Sequence, residues 1–152
     1  MSHFLNALWV FDVIPDSLTM EDKHRTEFYQ ENVKRVEQRD YFSTLDAFIA
    51  SLQVNYTIST LKTDDIPRVR QLILRTAQFN LSRNRALATS FNDTSKESVS
   101  KVISASDKYG DYGLIGFIRY AINDNTLHLY DFILSCRVLG RGLEFNVAEY
   151  VV

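Results

Sequence analysis

The sequence predicts an α+β (mixed α/β) fold in which helices lead into an antiparallel strand meander, and three observations predict it. Apolar residues recur at helical spacing up to about residue 75. They then alternate with polar residues, broken by two turn signals, from 99 to 134. All five glycines (Gly110, Gly113, Gly116, Gly140 and Gly142) fall between 110 and 142, where the backbone must do something unusual.

Taken in order, residues 4–13 are apolar and fit a short helix or strand, and Pro15-Asp16-Ser17 is a break. Thr19 followed by Asp22 is an N-cap signal. The stretch from there to Arg39 is polar, and Met20, Phe28, Val33 and Val36 give only a thin apolar stripe, so a long, largely solvated helix is expected. Ser43 caps the next helix, with Leu45, Phe48, Ile49 and Leu52 at i, i+3, i+4 and i+7. Val54, Tyr56 and Ile58 alternate as a half-buried strand. Thr63 caps a helix that carries Asp64 and Asp65 in its first turn, tolerates Pro67 early, and faces inward with Ile66, Val69, Leu72 and Ile73. Residues 78–97 read as a polar loop with one helical turn. Three strands follow: 99–105, 114–122, and one carrying Leu127, Leu129, Phe132 and Leu134. Turns at Tyr109–Gly113 and Asn123–Asn125 separate them, and a last helix begins at Leu143. Two regions result: a helical lead-in over 1–52 and the sheet-bearing domain over 53–152.

Composition narrows the function. Lys+Arg number 17 and Asp+Glu 19, a net charge of −2, which gives no reason to expect nucleic acid or an anionic membrane as partner. The single cysteine, Cys136, rules out an intrachain disulfide. With three scattered histidines (His3, His24, His128), a structural zinc site is not expected either. The profile suits the reducing cytoplasm. The N-terminal apolar run is broken by Asn6 and Asp12 and lacks a basic start, so it is a poor signal peptide. No stretch approaches the roughly 18–20 apolar residues of a membrane span.

The chemistry concentrates in Asp131–Leu143. A strand runs into Arg137-Val138-Leu139-Gly140-Arg141-Gly142, and a helix follows. Glycines at such a junction let backbone N–H groups converge, the helix N-terminus adds partial positive charge, and Arg137 and Arg141 add full charges. This suits a pyrophosphate or the phosphate of phosphopantetheine. A simple glycine-bearing strand–helix turn is the alternative.

This Arg-x-x-Gly-x-Gly pattern resembles the acyl-CoA-binding signature of GNAT acetyltransferases, and three segments resemble one subgroup. Arg75-Thr-Ala-Gln-Phe-Asn-Leu81, Tyr109-Gly-Asp-Tyr-Gly-Leu-Ile-Gly116 and Phe132-Ile-Leu-Ser-Cys-Arg-Val-Leu-Gly-Arg-Gly-Leu-Glu144 are similar, in the right order, to segments of the C-terminal GNAT-like domain of FkbH-like proteins. The resemblance covers roughly residues 16–144. It implies a partial GNAT-like fold and a glyceryl-type acyltransferase of polyketide-type biosynthesis. Its cofactor would be CoA or carrier-bound phosphopantetheine, and its partners an acyl carrier protein and a HAD-type phosphatase domain or subunit. The family's unit is a three-carbon acyl group from a phosphorylated glycolytic precursor. The chain departs from the pattern in lacking any Asp-x-Asp-x-Thr/Val phosphatase motif, and in having Ala77 and Arg83 where the family has Asn and Thr. The resemblance also implies that the domain is incomplete after Val152, which would leave an open sheet edge and favour a homo-oligomer.

Several side chains are candidates within that frame. Cys136, next to Arg137 and the loop N–H groups, is placed to be a stabilised thiolate carrying an acyl thioester; the alternative is a small buried strand residue. Asp131 is the carboxylate best placed for general base. Gln78, Asn80 and Ser82 offer groups suited to a hydroxylated acyl unit, or ordinary loop capping. His128 and Asp111 read first as a strand-surface residue and a turn former. Three readings result: a transferase domain, a non-catalytic module docking a carrier protein or a separate subunit, and a fragment inactive alone.

Overall fold

The computed structural model describes residues 25–90 and 98–151. The expectations for 4–13, for the break at Pro15, for the cap at Thr19 and for His3 and His24 lie outside the described residues. Helix α1 (Arg25–Arg39) and helix α2 (Leu45–Leu52) come first. The α2 cap is Thr44 rather than Ser43: its hydroxyl accepts from the Ala47 N–H at 3.2 Å, the N3 position a capping side chain must reach. Of the α2 stripe only Leu52 is buried, and Leu45 is 54% exposed, so this helix seats its C-terminal end rather than a full face.

Strand β1 (Asn55–Thr60) is followed by a 3₁₀ turn (Thr63–Asp65) and helix α3 (Ile66–Arg75). The Lys62 N–H donates to the Asp65 carboxylate at 2.9 Å, which closes this turn ahead of the helix, and Pro67 occupies the first turn of α3, where no backbone donor is needed. Val69, Leu72 and Ile73 are buried as their spacing requires. A single helical turn, α4 (Leu87–Ser90), is all the regular structure described in the polar stretch after it. The meander is β2 (Val99–Asp107), β3 (Gly110–Asn123) and β4 (Thr126–Leu134). Helix α5 (Leu143–Val151) ends the described chain.

The four strands make one antiparallel sheet in the order β1-β2-β3-β4. The β3–β4 turn is made by Asp124 and Asn125 with φ of 48° and 61°, the left-handed pair that a two-residue hairpin prefers. The β2–β3 turn is tighter than the sequence predicts. Asp107 accepts from the N–H groups of Tyr109 and Gly110 at 2.9 and 3.1 Å, so Gly110–Gly113 already belong to β3.

Two interruptions in the β2–β3 register decide which side chains meet which helices. Pairing passes from Ile103–Gly116 to Ser104–Leu114, and from Ala105–Gly113 to Ser106–Asp111, leaving Ile115 and Tyr112 as extra residues on β3. The bulges reset the alternation, so Leu114 and Phe117 face one side of the sheet and Tyr112, Ile115 and Ile118 the other. The first side forms a core with Val69, Leu72 and Ile73 of α3. The second forms a core with Val138 of the glycine loop and with Leu143 and Val147 of α5. Helices therefore cover both faces of the sheet, and the glycine loop is anchored to one of them by fully buried side chains. Residues 79–81 lie along the second half of β4, with Leu81 N–H donating to Phe132 O at 3.1 Å and Leu134 N–H to Phe79 O at 3.0 Å, so the chain covers that part of the edge itself. Among the described residues no helix is long and apolar enough to cross a membrane.

Candidate functional site

The glycine loop leaves β4 at Ser135, whose N–H donates to Ile115 O at 2.7 Å, and enters α5 at Leu143. Val138 sits in the core with no exposed surface, Leu139 packs half-buried against the same core, and Cys136 is exposed beside the half-buried Arg137. Gly140 has φ of 74°, a left-handed conformation that costs any other residue about 1–2 kcal/mol. No atom lies within 4 Å of where a Gly140 Cβ would stand, so the loop is open on that side. Its N–H donates to the Glu144 carboxylate at 3.1 Å: the loop's amide side already meets an anion, one of its own.

Helix α1 closes over the loop, although its sequence reads as solvated. Arg35 is only 3% exposed. Its Nε and Nη2 donate to the two Asp107 oxygens at 2.7 and 2.8 Å, a bidentate pair at the end of β2. The close approach depends on Gly110, because a Cβ there would collide with the Glu31 carboxylate one helical turn before Arg35. Glu31 is itself 3.5 Å from Arg35. Tyr112, on its bulge, donates its hydroxyl to Asp107 at 2.5 Å, and its ring carries two guanidinium groups, Arg35 at 4.4 Å and Arg141 at 4.8 Å.

Between α1 and the loop lies a cavity of about 410 Å³. Three arginines line it (Arg35, Arg137 and Arg141), together with Tyr112, Cys136 and Phe28, and no acidic residue among the described residues does. Arg137 stacks on Phe28 at 4.7 Å. Among the described residues, Arg137 Nη1 and Arg141 Nη1 are buried without a hydrogen-bond partner, as are the carboxylate oxygens Glu31 Oε2 and Glu144 Oε2, and Arg141 lies 3.6 Å from Asp107 in an ion pair. Buried donors of this kind are costly to leave unpaired. The electrostatics agree with the geometry. Burial works against the Asp107 charge, but Arg35 and the Tyr109 and Gly110 N–H groups outweigh it and hold the carboxyl below its ordinary 3.8. Arg141 is pushed below the usual arginine value by burial and by Arg35, with Asp107 restoring part of the loss.

The sequence candidates divide between this cavity and two other places. Arg137, Arg141 and Cys136 come together here, and Cys136 is exposed, so it is not the buried strand residue of the alternative reading. Asp131 is 1% exposed and does not line the cavity. Arg119 holds its Oδ2 from Nε at 2.8 Å and Nη2 at 2.7 Å, and the Ser82 hydroxyl donates to Oδ1 at 2.6 Å. A carboxylate so occupied acts as a structural anchor between β3, β4 and the 78–82 segment. Gln78 and Asn80 line a separate cavity of about 310 Å³ with Phe79, Arg83 and Phe132. Asn80 is buried and caps its own loop, accepting from the Arg83 N–H at 2.9 Å. His128 is exposed on β4 and Asp111 accepts from the Gly113 N–H, both as surface and turn residues do. Among the described residues no cluster of metal-binding side chains occurs. Sequence reasoning missed Arg35, Asp107 and Tyr112; the signal for them was the Glu31–Arg35 pair one turn apart on a helix otherwise short of apolar residues.

Comparison with protein-family models, with curated proteins and with solved structures finds no match to this chain.

Proposed function

We propose that the chain is an acyltransferase domain of the GNAT-like kind, and that the cavity between α1 and the glycine loop takes the phosphate of phosphopantetheine, carried by CoA or by an acyl carrier protein. The observation that carries this is the convergence of Arg35, Arg137 and Arg141 with Cys136 on one cavity that no acidic residue lines among the described residues. Charge-assisted bonds from arginine to phosphate are short, strong and directional. The setting of the loop also supports the reading: a strand leads into the Arg-x-x-Gly-x-Gly loop and a helix follows it. Glyceryl-type transfer with a carrier protein as partner comes from the FkbH-like resemblance alone, and a cytoplasmic setting from the cysteine usage.

One feature favours a second donor. Cys136 adjoins Arg137 in the chain and shares its cavity, whereas an extended pantetheine arm would carry its thioester away from a phosphate held by the loop. A compact acyl phosphate would place both ends within reach. The Cys136 thiolate would attack the acyl carbon, the carbon–sulfur bond would form as the bond to the phosphate oxygen broke, and phosphate would leave with the electron pair.

Intact-protein mass spectrometry separates the donors. Incubation with acetyl-CoA or with acetyl phosphate should leave an acetyl group on the wild-type chain and none on Cys136→Ala. Labelling by acetyl phosphate alone selects the compact donor. Absence of labelling by either removes Cys136 from the reaction and leaves a phosphopantetheine-docking module.

A further inference from the structure

One acidic residue, Asp107, binds two of the arginines that line the cavity. Asp107 has no exposed side-chain surface and gathers five donors, two nitrogens of Arg35, the N–H groups of Tyr109 and Gly110 and the Tyr112 hydroxyl, with Arg141 in an ion pair at 3.6 Å. Two of the three arginines lining the cavity are thus tied to one carboxylate, and both stack on the one ring that this carboxylate also holds. We infer that Asp107 is a positioning residue for the anion site. It locks helix α1 onto the β2–β3 hairpin and holds Arg35 and Arg141 in the cavity wall, so that its removal makes the cavity less attractive to anions although the protein loses a negative charge. This inference rests on the proposed anion site and adds to it that α1, which carries no part of the loop motif, completes it.

Two effects compete here. A carboxylate near a binding site lowers the positive potential there, and neutralising it in place would raise anion attraction. Arg35 and Arg141, however, are mostly buried cations close to one another. Without the charge between them their mutual repulsion and desolvation are uncompensated, and long side chains then swing toward water, where solvent screens them. The Arg141 charge is already disfavoured by burial and by Arg35 in the intact protein, with Asp107 as the compensating charge.

The sole cysteine gives a readout independent of any ligand. Cys136 is exposed at the cavity, so its alkylation by iodoacetate, an anion, relative to iodoacetamide, which is neutral, measures the field there; the thiolate fraction is common to both reagents and cancels. In the wild type the ratio should exceed that of 2-mercaptoethanol by roughly tenfold, the lower end of what a focused field adds to an encounter rate. Asp107→Asn should lower it several-fold. Asp124→Asn, which removes the same charge from the distant β3–β4 turn, should leave it unchanged. Arg35→Lys keeps the charge and loses the two-pronged grip, and should lower the ratio as well, which keeps the test intact if Asp107→Asn fails to fold by circular dichroism. A ratio unchanged or raised in folded Asp107→Asn, or unchanged in Arg35→Lys, overturns the positioning role. A wild-type ratio equal to that of free 2-mercaptoethanol overturns the anion site itself, and so the reading on which the inference rests.

Discussion

Replacing Arg141 by alanine should separate binding from folding. The Arg141 side chain is 17% exposed, stacked on Tyr112 at 4.8 Å and 3.6 Å from Asp107, with Nη1 buried and unpartnered among the described residues. A phosphate in the cavity would take a charge-assisted hydrogen bond from Arg141, which lines it. Losing such a bond costs about 1.5–3 kcal/mol, which is roughly a 10- to 150-fold rise in Kd. The effect on stability is smaller, because two changes oppose each other. The stack on Tyr112 is worth about 1–2 kcal/mol at a mostly buried site, and removing a buried cation that sits near Arg35 returns part of it. The variant should therefore melt close to the wild type while binding 4′-phosphopantetheine far more weakly. Arg141→Lys should fall between them, since a lysine supplies the charge without the planar fork. Calorimetric titration alongside thermal melting reads both quantities on one preparation. Wild-type affinity in a folded Arg141→Ala protein would refute the reasoning, and so would a loss of stability as large as the loss of binding energy.

Three further outcomes come from the packing. Gly116→Ala should destabilise the sheet by about 1–3 kcal/mol in urea unfolding, because the added Cβ would stand 2.6 Å from both the Ile103 and the Leu134 side chains in the middle of a core. Asp131→Asn should lower stability by less than the roughly 3–5 kcal/mol of a fully buried pair, since the Arg119 side chain is 27% exposed, and should leave affinity for 4′-phosphopantetheine unchanged; a lost affinity would bring Asp131 back into the site. Acid should weaken the protein through Asp107. Its carboxyl titrates below the ordinary 3.8 when folded, so the stability it contributes is complete above that value and is lost as the pH falls through the folded one. Melting temperatures across the acid range should show a shallower decline for Asp107→Asn than for the wild type.

How much of this was legible in the sequence depended on whether the cause was local. The α3 face at Val69, Leu72 and Ile73, the meander and the strand–loop–helix at Arg137–Gly142 all come from spacing and from glycine placement, and all are found. The bulges at Tyr112 and Ile115 were not legible, because a bulge is a relation between two strands and leaves no periodic trace in either. Arg35 and Asp107 were missed for the same reason: they lie 72 residues apart and gain meaning only when α1 lands on the hairpin. Asp131 looked reactive because it precedes the loop by a few residues. Strand alternation instead sets it across from Arg119, which occupies it. Cys136 was open to two readings, and its exposure decides between them: the buried anchor in this stretch is Val138, two residues on.

The central claim is that a phosphate binds where Arg35, Arg137 and Arg141 meet, and the most direct measurement compares two ligands that differ only in that phosphate. Calorimetric titration of the wild-type chain with 4′-phosphopantetheine should give saturable binding, and titration with pantetheine under the same conditions should give none. Equal heats from the two ligands, or silence from 4′-phosphopantetheine at millimolar concentration, would contradict the claim and leave the glycines of the loop with no role but to turn the chain.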